Sequence, residues 1–224
     1  PVCVATAANK LNDWDVEVID ENNCRDKFCP KDRFGLPDHP QLQAERPADA
    51  VGFYGSLSST IPRLFELAEF YQGLGVKTIA GGKHVENLPE EALANHLDVV
   101  VIGEGEETIK ELLLNAPLEN IKGIAFRRDG QMIKTEPRPL IIDFENQPIP
   151  DFNLIRYAKI STYPVSRTRG CDMNCEFCAV KDKTRCATPE KMMSIISHLA
   201  ETRGARKFFE SSDHFAANRE ETGK

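Results

Sequence analysis

Cys171, Cys175 and Cys178 fall within eight residues, in the run Arg169-Gly170-Cys171-Asp172-Met173-Asn174-Cys175-Glu176-Phe177-Cys178. No other feature restricts the chain so tightly. Gaps of three and then two residues force three thiols onto one short loop, which can wrap around one corner of a cubic iron–sulfur cluster held by cysteine thiolates. Three ligands leave one iron of such a cluster open, and an open coordination position separates a catalytic centre from a closed structural one. The alternative is a zinc site with Cys186 as fourth ligand. Zinc sites commonly pair two short knuckles, whereas Cys186 stands alone beyond Cys178.

The chain has 7 cysteines, an odd number and unevenly spread. That is not a secreted disulfide framework; it points to metal ligation in a reducing cytoplasm. Cys3, Cys24 and Cys29 have no cluster spacing and read as packed or free thiols. A formal net charge of −7 excludes a general nucleic-acid binder, which needs a basic face. No apolar run approaches the roughly 20 residues of a membrane span, and no basic-then-apolar leader opens the sequence.

Ahead of the cysteines, short β-branched runs alternate with helical patterns. Val16–Ile19, Ala50–Tyr54, Val76–Ala80 and Asp98–Ile102 read as strands. They are apolar almost throughout, as strands covered on both faces of a parallel sheet are. Between them, Ile61, Leu64, Phe65, Ala68, Tyr71 and Leu74 recur at helical spacing behind Pro62, with Gly73 and Gly75 at the end. Pro89–Leu97 and Glu107–Leu114 give two further helices, and residues 1–12 read as another. This order predicts a doubly wound α/β sheet. Gly123–Lys134 then reads as a hairpin around Asp129-Gly130. Pro137–Pro150, with four prolines, reads as an extended linker. The domain boundary falls there, giving residues 1–145 and 146–224. Beyond the cysteines, Thr188-Pro189-Glu190 opens a helix to Arg203, and Lys207–Glu210 reads as a strand.

The spacing of Cys171, Cys175 and Cys178, behind an extended Tyr163–Thr168 and an Arg-Gly pair, resembles the radical S-adenosylmethionine (SAM) superfamily. The first domain resembles the cobalamin-binding domain joined to some of these enzymes. There Ser56, Ser58 and Thr60 follow one strand, Gly81 and Gly82 close the next, and Gly103 and Glu104 follow a third. A Gly-Gly-x-His at Gly81, Gly82 and His84 also recurs. The resemblance implies a Rossmann-like cobalamin-binding sheet followed by the beginning of a partial (β/α) radical SAM barrel. It implies a 4Fe-4S cluster on the three cysteines and SAM chelated to the open iron. Phe177 would lie beside the adenine, with Glu210, Ser211 and Asp213 near the SAM amino group. Electrons would come from a reductant such as ferredoxin or flavodoxin. The 5′-deoxyadenosyl radical would then act on a small-molecule substrate, by methyl transfer or carbon-skeleton chemistry.

The family's cobalt-ligating DxHxxG motif is missing. The first strand ahead of residues 1–12 and the later barrel units are missing too, so the chain reads as an internal fragment, inactive alone. Two alternatives remain at this point. One is a radical SAM enzyme whose Rossmann domain is empty and structural. The other is a non-catalytic module binding cobalamin or zinc. Chemically, Ser56, Ser58, Thr60, Gly81 and Gly82 suit a large polar cofactor tail at the C-terminal edge of a parallel sheet. They also suit ordinary turns and caps. His84, as a loop histidine, needs no role.

Overall fold

The computed structural model describes residues 1–24 and 28–217. The chain divides into two compact units. The first comprises Pro1–Leu140 with Pro150–Ala158; the second comprises Ile141–Ile149 and the described residues from Lys159 onward. The proline-rich segment therefore contributes to both units instead of merely spanning them.

The first unit opens with helix α1 (Val2–Ala8), a two-residue strand β1 (Val18–Ile19) and helix α2 (His39–Glu45). Then come β2 (Ala50–Tyr54), a 3-10 turn Ser58–Thr60, α3 (Ile61–Gly73), β3 (Lys77–Gly81), α4 (Lys83–Asn87), α5 (Pro89–Ala94), β4 (Val99–Val101) and α6 (Glu106–Leu113). A hairpin of β5 (Ile124–Arg128) and β6 (Gln131–Lys134) completes a five-stranded sheet in the order β2-β3-β4-β5-β6. The first three strands are parallel and the last two antiparallel to their neighbours. Asp129 and Gly130 both have positive φ, 50° and 77°, as a tight two-residue hairpin turn requires.

Successive residues of each strand face opposite ways, so the apolar runs fill two core layers. Ile79, Val99, Val101, Ile124 and Phe126 pack with Ala7 and Ala8 of α1 and Ile109, Leu112 and Leu113 of α6. Ala80, Val100 and Ala125 face the other way, onto Ile61, Leu64 and Ala68 of α3, Val85 of α4, and Ala92 and Leu93 of α5. Helices thus cover both faces, as the doubly wound reading requires. Each fully buried aliphatic side chain contributes about 1.5–3 kcal/mol to this core.

Several features depart from the sequence expectations, among them α4, a helix where His84 was read as a loop residue. Val16–Ile19 does not enter the sheet. Only β1 forms, and it pairs in parallel with β7 (Ile155–Arg156). Helix α2 was not foreseen; it starts on an Asp38 carboxylate that accepts from Gln41 N at 3.0 Å. Cys24 and Cys29, expected as packed or free thiols, are joined by a disulfide.

Beside α2, Glu21 accepts from Arg63 Nη2 at 2.9 Å and from His39 Nε2 at 3.2 Å, and His39 Nδ1 shares a hydrogen bond of 2.8 Å with the Tyr71 hydroxyl. Burial alone would raise the Glu21 carboxyl, but the bonds from His39 and Arg63 outweigh it and bring the group down from 4.5 to about 2. A carboxyl depressed on folding stabilises the protein above its unfolded value and loses that contribution as pH falls through the folded one. The Glu21 contribution, on the order of 3 kcal/mol, is therefore complete near neutrality and vanishes between about pH 4.5 and 2. Urea unfolding should show the deficit of Glu21→Gln against the wild type shrinking as pH is lowered through that window. A constant deficit would contradict the assignment.

The second unit contains β8 (Tyr163–Val165), β9 (Thr168–Arg169), β10 (Arg185–Cys186), α7 (Pro189–Arg203) and β11 (Phe208–Glu210). β8 and β11 pair in parallel with α7 as the crossover, a strand–helix–strand unit and not a closed barrel. The Thr188 hydroxyl caps α7 by accepting from Lys191 N, and Gly204 ends it in the left-handed conformation. Among the described residues no helix is long and apolar enough to cross a membrane.

Candidate functional site

In the first unit the loops after β2, β3 and β4 meet at the C-terminal edge of the parallel strands. Gly55 N–H donates to Gly81 O at 2.8 Å, and Gly55 O accepts from His84 N at 3.0 Å and Val85 N at 3.2 Å. The two loops are therefore laced together through backbone. A β-carbon on Gly82, where φ is +119°, would lie 2.6 Å from Ser56 Oγ and 2.9 Å from the Gly55 carbonyl carbon. This glycine, read from the sequence as suiting a cofactor tail, is thus required first by the neighbouring loop. Gly81 is less confined: its β-carbon would meet only Val101, at 3.6 Å. Gly103 turns at φ +84° into open space, and its N–H donates to Glu86 Oε2 at 3.1 Å. Glu104, half-buried, follows it.

The three hydroxyls chosen from the sequence have separate tasks. Ser56 Oγ accepts from Lys83 N at 3.0 Å, and Thr60 Oγ1 donates to Leu57 O at 2.8 Å, so both fasten the loop. Ser58 Oγ pairs with His84 Nδ1 at 2.9 Å, and His84 Nε2 pairs with Glu91 at 3.3 Å. His84, read from the sequence as a loop histidine without a role, lies in α4 and is held through both ring nitrogens. Tyr54 and Leu57 remain 59% and 64% exposed at the same edge. An open glycine, two exposed apolar side chains and a ring of polar groups suit a large flat ligand with a polar rim.

These placements give a stability prediction. Gly82→Ala combines a left-handed backbone with contacts to backbone atoms that cannot yield, and should cost roughly 3 kcal/mol or more. Gly103→Ala meets no atom and should cost only about 1–2 kcal/mol. Equal urea midpoints for the two variants would show that the loops do not approach as closely as described.

In the second unit, residues 170–184 form a loop closed by the antiparallel pair β9–β10. Cys171, Cys175 and Cys178 all lie on it as half-buried free thiols. Cys171 N–H donates to Asp182 O at 2.9 Å, pinning the loop's two arms. Lys181 Nζ donates to Cys175 O at 2.6 Å and to Asn174 Oδ1 at 3.1 Å. Val180 N–H points at Cys178 Sγ from 3.4 Å. Phe177 is 94% exposed, available to a flat ring. The donor set fits an iron–sulfur cluster, which spreads its thiolates over separate irons. Among the described residues no three His, Cys, Asp or Glu side chains converge as ligands of a single ion, and Cys186 is exposed on β10.

The residues after β11 reach the same loop. Asp213 Oδ2 accepts from Gly170 N at 2.8 Å, immediately before Cys171. The Glu210 carboxylate accepts from Ser212 N at 3.2 Å and from the Ser212 hydroxyl. Ser212 Oγ in turn accepts from Thr168 N at 3.2 Å. Ser211 is spent on the strand ladder, donating to Val165 O through both N–H and hydroxyl. Glu210 and Asp213 therefore tie the end of β11 to the base of the cysteine loop. Ser212 and Lys181 were missed from the sequence. Lys181, three residues past the last cysteine of the motif, was findable as a cation suited to pin a thiolate loop.

Comparison with known proteins bears on both halves. Over 115 residues the chain is 35% identical to the uncharacterized methyltransferase PH0819 of Pyrococcus horikoshii, covering 46% of this chain and 25% of that protein. Over 180 residues it is 26% identical to bacteriochlorophyllide d C-8(2)-methyltransferase of Chlorobaculum tepidum, covering 76% of this chain and 36% of that one. Its fold is shared with TsrM, a radical SAM methyltransferase from Kitasatospora setae, at a TM-score of 0.75 and 14% identity over 99% of this chain and 46% of TsrM. The chain thus spans between a quarter and a half of the length of these proteins. The cobalamin-binding part of the resemblance is borne out. Residues 2–113, half of the sequence, match the model of the B12 binding domain, and the chain belongs to that family.

Proposed function

We propose that the chain is the cofactor-binding part of a cytoplasmic radical SAM enzyme. It holds cobalamin at the sheet edge of residues 1–145 and a 4Fe-4S cluster with SAM on residues 146–224. The observation that carries this is one chain joining a B12 binding domain to three free thiols on a single hairpin loop. When bound, the cluster and SAM supply a 5′-deoxyadenosyl radical, and cobalamin supplies a methyl group, for methyl transfer to a small molecule or carbon-skeleton chemistry. The protein's own part is to bind and orient. Cys171, Cys175 and Cys178 ligate iron, Phe177 offers a face to adenine, and Gly81, Gly103, Glu104 and Ser58 border the corrin. Glu210 and Asp213 fix the loop on which SAM is gathered, and Ser211 secures the strand end. A one-electron reductant, ferredoxin or flavodoxin in kind, completes the set. A structural first domain is the second reading, favoured by Ser56 and Thr60 being committed to their own loop.

The test is anaerobic reconstitution with iron, sulfide and hydroxocobalamin, followed by gel filtration and absorption spectroscopy. Both chromophores should co-elute with the protein. Cluster without cobalamin would leave only the second reading, and neither would defeat both. For bound cob(II)alamin, His84 is not expected as the axial ligand, because Ser58 and Glu91 occupy both its ring nitrogens. Nitrogen hyperfine splitting in electron paramagnetic resonance that disappears in His84→Ala would refute this.

A further inference from the structure

The loop bearing the three thiols is closed by only two ladder pairs, Arg185 opposite Arg169 and Cys186 opposite Thr168. The first sets two guanidinium groups directly across from each other, and like charges so placed push the strands apart. Both guanidinium carbons lie over one aromatic ring, that of Phe144, at 5.2 Å for Arg169 and 5.4 Å for Arg185. An aromatic face attracts cations at this range and offsets their mutual repulsion.

Phe144 does not stand alone. Its segment, Ile141–Ile149, belongs to the same compact unit as the loop. Ile141 O accepts from Arg185 Nη1 at 2.7 Å. Glu145 accepts from Thr188 N at 3.1 Å and from the Thr188 hydroxyl at 2.7 Å, two residues past β10. Gln147 O accepts from Lys191 Nζ at 2.9 Å. Asp143 stiffens the segment from within, accepting from Asn146 N at 3.1 Å and Asn146 Nδ2 at 2.7 Å. The segment grips both arms of the hairpin and the start of α7.

We propose that Ile141–Ile149 is a strap that holds the cysteine loop in its cluster-binding shape, with Phe144 as the positioning residue that clamps the Arg169–Arg185 neck. This rests on the reading that Cys171, Cys175 and Cys178 hold an iron–sulfur cluster. Phe144 touches no cofactor; it acts through the neck, which sets how the thiols are spaced.

The experiment compares anaerobically reconstituted wild type, Phe144→Leu and Phe144→Trp, reading iron per chain and the rate of iron release to a ferrous chelator. Far-UV circular dichroism verifies folding. Leucine keeps apolar bulk but has no π-face, whereas tryptophan keeps the face. Phe144→Trp should hold iron as the wild type does, and Phe144→Leu should release it roughly fivefold faster. Adding Arg169→Gln to Phe144→Leu removes the repulsion and should slow release again, and this double variant also decides the matter if Phe144→Leu alone folds poorly. Equal release from the leucine and tryptophan variants, or no recovery with Arg169→Gln, would overturn the strap while leaving the cluster reading intact. A wild type that takes up no iron would remove both.

Discussion

Alanine at any one of Cys171, Cys175 or Cys178 is expected to abolish iron uptake on anaerobic reconstitution, while Cys186→Ala retains about four irons per chain. The three thiols lie on one loop as half-buried free cysteines. Removing one leaves two thiolates for a cluster that already has an open iron. Cys186 lies outside the loop, exposed on β10 opposite Thr168, so its loss costs one ladder side chain and no ligand. Iron and sulfide analysis with the visible spectrum decides the outcome. Stoichiometric zinc that depends on Cys186 would sink the cluster assignment, since only a four-thiol zinc site needs that residue.

Where the sequence was legible, physical reasons made it so. β3 and β4 are covered on both faces, so their apolar runs have no competing polar reading. The hairpin followed from Asp129-Gly130, because few other residue pairs adopt two successive positive φ values without cost. β1 misled because its partner is Ile155–Arg156, far along the chain, and local periodicity carries no trace of such pairing. Helix α2 has Leu42 as its one buried aliphatic residue, which leaves no helical stripe to detect. At the sheet edge the residue types were legible but their partners were not. A serine in a loop serves equally as a ligand contact or as a cap, and only the backbone's path makes Ser56 the acceptor of Lys83 N. The same holds for Phe144, which in a run of prolines reads as part of a spacer, until the ladder register sets two arginines over its ring.

The other large effect is expected at Gly170, whose replacement by alanine should empty the loop of iron although no ligand is touched. Gly170 has φ +82°, a conformation that L side chains rarely adopt. Its absent β-carbon would lie 2.4 Å from Lys183 O, 2.7 Å from Asp182 O and 2.8 Å from the Lys183 carbonyl carbon. All three are backbone atoms on the opposite arm of the loop, so relief requires the arms to part. Parting them breaks the bond from Cys171 N to Asp182 O and displaces Gly170 N from Asp213 Oδ2. Left-handed strain and backbone overlap together should cost on the order of 3 kcal/mol or more, concentrated at the base of the thiol loop. Gly204→Ala is the matched control: φ is also positive, +63°, but its β-carbon meets nothing, and it terminates α7, outside the 170–184 loop. Gly204→Ala should lose about 1 kcal/mol of stability and none of its iron. A Gly170→Ala protein that reconstitutes with a full complement of iron would mean that the loop tolerates open arms, and that the thiols, not the neck, set the cluster's geometry.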